Sequence, residues 1–137
     1  MELKDINYFF ILHSSSGSCL ACMKEDRSVE KLSDMTSDLG LVVDSFKKLY
    51  DKIKNENSNF VFSNCYVTAL INASNVKNIE IKKEKAFLPR KFIRVTFNNN
   101  FSLSTKYTYN KKALLEFYDK LKSQMLESRK QLNDLEM

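Results

Sequence analysis

The chain has no tryptophan, one proline, two glycines, one histidine and three cysteines in 137 residues. So little glycine and proline leaves no room for long flexible linkers. A single histidine with no glycine-flanked serine offers no template for a Ser-His-Asp triad. There is no glycine-rich loop to cradle phosphate and no paired-carboxylate motif. No apolar run approaches the roughly 18 residues of a membrane span. The run Tyr8–Leu12 is too short for a signal-peptide core, and Glu2, Lys4 and Asp5 precede it. These absences predict a non-enzymatic intracellular protein without a cofactor. Its cysteines are then thiols, and its sequons at Asn72 and Asn100 are unmodified.

What is present is ordinary for a globular domain: 43% hydrophobic and 28% charged residues. A chain of this length buries roughly two-thirds of its unfolded surface and needs no disulfide or metal staple. The net charge is +5, and its placement is uneven. Lys77, Lys82, Lys83, Lys85, Arg90, Lys91 and Arg94 face only Glu80 and Glu84 across the segment 77–94. Such a strip reads as a lysine-protected strand edge or as a surface for phosphate or an acidic partner.

Periodicity divides the chain. Ile6–Leu12 is a continuous apolar run that fits a buried strand or a short buried helix equally. Ser14–Gly17 is a turn signal. Val29, Leu32 and Met35 recur every third residue and predict a short helix. Leu39, Val42, Val43, Phe46, Leu49, Tyr50 and Ile53 form one helical stripe, predicting a helix over 38–54 with Ser37 or Asp38 as its cap. Asn55–Asn59 is polar and marks an internal boundary. Phe60–Ile71 reads as one strand, rich in β-branched and aromatic residues, and Lys77–Lys85 as a short edge strand.

The last third is the clearest. Ile93, Val95 and Phe97 alternate with Arg94 and Thr96, three asparagines follow, and Phe101, Leu103, Thr105, Tyr107 and Tyr109 alternate again. That is an antiparallel hairpin with one buried face. Leu114, Tyr118, Leu121, Met125, Ser128, Leu132 and Leu135 then fall on one stripe of a long amphipathic helix. The predicted class is α+β: a small antiparallel sheet of about three strands, a long C-terminal helix, and a shorter, mostly helical N-terminal region. A helical stripe of about 30 Å overhangs so small a sheet, which predicts oligomerisation.

The C-terminal half resembles the COMM domain, a module of endosomal-trafficking adaptor proteins. Cys65–Ser74 resembles that family's first strand. Pro89 stands where the family has a proline before its second strand, and Tyr109–Leu121 resembles the strand-to-helix junction. Upstream, Val29–Leu32 and Leu39–Leu41 resemble the end of the family's helical region. The resemblance divides the chain into an N-terminal region, 1–58, and a COMM-like dimerisation domain, 59–137. It implies a cytoplasmic, endosome-associated subunit that forms hetero-oligomers with other COMM-domain proteins and binds coiled-coil scaffolds, with no small-molecule substrate. The interface residues it implies are Val67, Leu70, Ile93, Val95, Phe97, Leu114, Phe117, Tyr118, Leu121 and Met125.

Two other readings stand beside it. Cys19 and Cys22 form a CxxC, which fits a thioredoxin-like redox pair or, with Cys65 and His13, a zinc site. Two buried structural thiols are the plainer alternative. The helix–strands–helix order with a basic strip also resembles the small RNA-binding subunits of the signal recognition particle. There Lys82, Lys83, Lys85, Arg90, Lys91 and Arg94 would meet phosphates.

Overall fold

The computed structural model describes residues 2–56, 59–63, 69–106 and 108–136, with side chains as far as residue 130. Ile6–Leu12 proves to be a strand: β1 (Ile6–Ser14) turns at Ser15-Ser16 into β2 (Gly17–Lys24). Gly17 has φ +124°, and a Cβ there would lie 2.4 Å from the Thr36 carbonyl oxygen. The turn needs glycine for both reasons.

The short helix expected at Val29–Met35 is absent. Val29–Lys31 is instead strand β3, paired with β2 through Met23↔Val29 and Ala21↔Lys31. The ladder runs on through Leu32, whose N–H donates to the Leu20 carbonyl, and Ser33, whose hydroxyl accepts from the Leu20 N–H. A spacing of three over so short a window does not separate helix from strand. Helix α1 (Leu39–Glu56) lies where its stripe predicts it. Phe60–Ile71 is two strands rather than one. β4 (Phe60–Ser63) pairs antiparallel with β5 (Ala69–Asn72), Val61 opposite Ile71. Val67 and Cys65 fall between them, outside the described residues.

These five strands form one sheet in the order β3-β2-β1-β5-β4. A second sheet has three strands in the order β6-β7-β8: β6 (Val76–Lys83), β7 (Lys91–Phe97) and β8 (Ser102–Ser104). The predicted hairpin is β7–β8, with Val95 opposite Leu103 and Asn100 at φ 69° in the turn, but its second strand ends at Ser104 rather than continuing to Tyr109, and Tyr107 lies outside the described residues. Helix α2 (Lys111–Glu136) closes the described chain.

The expected architecture of about three strands behind a mostly helical N-terminal region is therefore overturned. Among the described residues eight strands form two sheets, and residues 6–31 are all β apart from their turns. The reason is burial on both sides. Helix α1 packs on one face of the five-stranded sheet through Phe46 and Ile53, against Ile6, Phe9, Cys22, Phe60 and Leu70. The opposite face, with Tyr8, Met23, Val61 and Ile71, meets the second sheet and α2. A strand covered on both faces reads as a continuous apolar run without period-2 alternation.

One corner joins the sheets. β5 leads through a 3₁₀ turn (Ala73–Asn75) directly into β6. The Asn72 and Asn75 side-chain amides both donate to the Ile6 carbonyl, and Asn75 reaches Lys4 as well. Buried carboxamides thereby satisfy backbone groups that the change of sheet leaves without ladder partners. The same burial encloses the sequon residue Asn72, which is fully inaccessible.

Candidate interaction surfaces

The residues expected at an intermolecular interface lie inside this chain. Ile93, Val95, Phe97, Leu114, Phe117, Leu121 and Met125 are all buried in the core between the two sheets and α2. Leu70 is buried beneath α1, and Tyr118 packs partly against the first core. Val67 lies outside the described residues. Nor does α2 simply overhang a small sheet. On either side of Met125 it reaches the residue that precedes β4: the Gln124 amide and the Ser128 hydroxyl both donate to the Asn59 side-chain oxygen, at 2.9 Å each. Arg129 donates to the Lys77 carbonyl.

The two cysteines of the CxxC are buried, unpaired thiols. They sit three residues apart on one strand, so they point to opposite faces of the sheet. Cys22 pairs with Phe9 on the α1 face, whereas Cys19 pairs with Leu12 on the other. Neither a shared disulfide nor a shared metal is within their reach. Burial, and then the nearby Glu30 carboxylate, push the Cys22 thiol above its usual value, which opposes thiolate chemistry. His13 Nδ1 is 2.7 Å from the Ser18 hydroxyl, one pair from the turn of the hairpin. No group of three or more metal-ligating side chains gathers among the described residues.

The basic strip is split by pairing. Lys82 meets Glu80 at 3.1 Å. Arg90 grips Glu84 in a fork, Nε to Oε1 at 2.8 Å and a terminal nitrogen to Oε2 at 3.1 Å. Arg94 stacks over Phe92. Lys83, Lys85 and Lys91 have no carboxylate within ion-pairing distance among the described residues.

Two surfaces went unnoticed in the sequence. The first is the β6–β7 connection, where Phe87 is 98% exposed, and Leu88 and Tyr109 are 70% exposed. The Tyr109 hydroxyl donates to the Leu88 backbone carbonyl at 3.2 Å, which ties Tyr109 to the connection. The second is a groove of about 350 Å³ between α1 and the five-stranded sheet, lined by Ile11, Val43, Phe46, Lys47, Tyr50 and Phe62. Phe46 and Tyr50 each make a ring contact with Phe62, on the edge strand β4. Lys47 lines the rim, and Lys54 sits over the Tyr50 ring. An adjacent Phe-Leu pair is the only sequence sign of the first surface. Nothing local signals the second, because strands far apart in the chain build it.

No helix among the described residues is long and apolar enough to cross a membrane. Comparison with protein-family models, curated proteins and solved structures finds no match to this chain.

Proposed function

We propose that this chain is a non-catalytic interaction subunit, cytoplasmic and endosome-associated, that holds an amphipathic helix of a partner protein in the groove between α1 and the five-stranded sheet. The observation that carries this reading is the groove itself: an open apolar channel floored by Phe46, Tyr50 and Phe62, with lysines at its rim. Helix-in-groove recognition uses an apolar floor for affinity and rim charges for register. Lys47 and Lys54 favour a helix with acidic flanks. Coiled-coil scaffolds, the partner class that the COMM resemblance implies, present helices of this kind.

This reading places the partner on a different surface from the hairpin and helix residues first expected to assemble. Those residues fill the chain's own core, so the isolated protein is expected to be a 16.0 kDa monomer that assembles only with its partner. Light scattering checks the first part. The second is tested by fluorescence anisotropy with labelled coiled-coil peptides that have acidic flanks. Binding should weaken about tenfold in Tyr50→Ala and in Lys47→Glu, with circular dichroism unchanged. Failure of the whole peptide panel to bind, or variants that bind as tightly as the unaltered chain, would overturn the reading.

A further inference from the structure

We propose that the tip of the β6–β7 hairpin docks this protein on an anionic lipid surface. Four observations point there, and none depends on the groove under α1. The first is exposure. Phe87 and Leu88 are adjacent and exposed, Phe87 almost wholly, with the exposed Tyr109 bonded to the Leu88 carbonyl. Leaving two large apolar side chains in solvent is unfavourable unless another phase receives them.

The second is rigidity. Below the tip, the Glu84 N–H donates to the Arg90 carbonyl, and the Arg90 N–H donates back to the Glu84 carboxylate. The guanidinium fork closes the same neck from the side-chain direction. Lys91 and Thr108 exchange backbone hydrogen bonds and fix Tyr109 alongside. The apolar residues are thus held outward rather than free to fold back.

The third is charge. Lys83 and Lys91 face each other at the base of the tip, Lys85 lies within it, and Lys111 and Lys112 open the helix that starts beside it; none has a carboxylate within ion-pairing distance among the described residues. Lys91 and Lys111 share a small pocket with Pro89 and Tyr109. Glu84, the one acid of the loop, is already taken by Arg90.

The fourth is an electrostatic misfit. Lys111 and Lys112 open α2, whose first turn holds no acidic residue. That end carries the positive pole of the helix dipole, so cations there are locally unfavourable. An anionic surface relieves both the dipole and the lysine repulsion.

Lipid headgroups and nucleic-acid phosphates would both satisfy the lysines. What favours lipid is the shape and chemistry of the summit. Single-stranded nucleic acid would stack on Phe87 and Tyr109 but leave the exposed Leu88 in water, whereas an apolar phase receives all three. An interfacial anchor uses Phe and Leu as a wedge below a ring of lysines.

The test is co-sedimentation of the full chain with vesicles of phosphatidylcholine alone or containing phosphatidylserine. Binding is expected only to the phosphatidylserine vesicles, and it should fall as salt rises. Phe87→Ser with Leu88→Ser should weaken it at least about tenfold. Lys111→Gln and Lys112→Gln should each weaken it about fivefold. All four side chains are exposed, so the fold is not at risk, and unchanged circular dichroism confirms this. Lys47→Glu, in the groove, should leave vesicle binding unchanged and so separates this proposal from the preceding one. No binding to anionic vesicles, or full binding by the serine double variant, would overturn it. So would tighter binding of an RNA oligonucleotide that uses the lysines but not Leu88.

Discussion

Asn72 and Asn75, at the two ends of one 3₁₀ turn, donate to the same acceptor: the Ile6 carbonyl receives their amide nitrogens at 3.0 and 3.2 Å. The turn is where the chain leaves one sheet for the other, and the shared carbonyl belongs to the first residue of β1. Residues nearly seventy positions apart are thus pinned at a single atom. Either asparagine alone keeps that carbonyl satisfied. Asn72→Ala and Asn75→Ala should each cost about 1–3 kcal/mol in urea unfolding, and the double variant should cost more than their sum. Additive costs would show that the carbonyl finds another donor.

Gly17 makes a second long-range demand on one residue. Its φ of +124° and the nearby Thr36 carbonyl both exclude a side chain. The obstacle is backbone, held by reciprocal hydrogen bonds between Ser18 and Thr36, so it cannot swing aside. Gly17→Ala should lower stability by about 2 kcal/mol or more. An unchanged melting temperature would mean that the β1–β2 turn relaxes freely.

Leu121 and Val95 separate core from interface. Both are essentially inaccessible within the single chain. Leu121→Asp or Val95→Asp buries an unpaired charge, with a penalty on the order of 5 kcal/mol. The expected result is loss of the cooperative melt, not release of a folded monomer. Leu121→Ala should fold, weakened by about 2–5 kcal/mol. A Leu121→Asp protein that melts cooperatively would return this stripe to an intermolecular role.

Elements with one solvent face were legible in the sequence, and elements with two covered faces were not. Helix α1 and the β7–β8 hairpin each show their period because one side meets water. Along α2 the stripe was read correctly at Leu114, Leu121 and Met125. Phe117, one position before the predicted Tyr118, carries more of the burial. In β1 and β2, Ile6–Phe9 and Ser18–Met23 are buried almost without interruption, because α1 covers one face and the second sheet and α2 cover the other. Alternation vanishes there, and with it the signal of a strand. Without those strands the sheet is too small for α2, which is why the sequence predicts an external partner for its stripe. The candidate surfaces were hidden differently. The groove joins Ile11, α1 and Phe62, which no local window contains, while the tip shows only as Phe87-Leu88.

The buried thiol and phenol predict an alkaline limit. Burial, followed by Glu30, raises Cys22 above 9.0, and burial raises Tyr8 above 10.0. In each case the folded chain keeps a proton that the unfolded chain releases. The associated stability is complete below those unfolded values and falls as pH climbs through them toward the raised folded ones. Unfolding followed by urea should show decreasing stability above about pH 9, with a slope that Cys22→Ala reduces first and Tyr8→Phe reduces further up. A flat profile to pH 11 would contradict burial of both groups.

The fork between Arg90 and Glu84 governs the neck of the exposed hairpin tip. Burial does not hold the loop, since Lys85 through Leu88 all lie in water. What holds it is one carboxylate receiving the Arg90 backbone N–H and two guanidinium nitrogens. Arg90 in turn holds the Glu84 carboxyl below its ordinary value, so the fork persists through neutral pH and loosens only on acidification. Glu84→Ala removes every one of these bonds without touching the core. Trypsin cutting after Lys85 reports the result directly, because cleavage needs the loop to open into an extended strand. The cut should come several-fold faster in Glu84→Ala, while cleavage elsewhere and the global melt stay as they are. Equal rates in the two proteins would mean that the β6–β7 ladder alone sets the loop, and that Phe87 and Leu88 owe their outward position to the strands rather than to the fork.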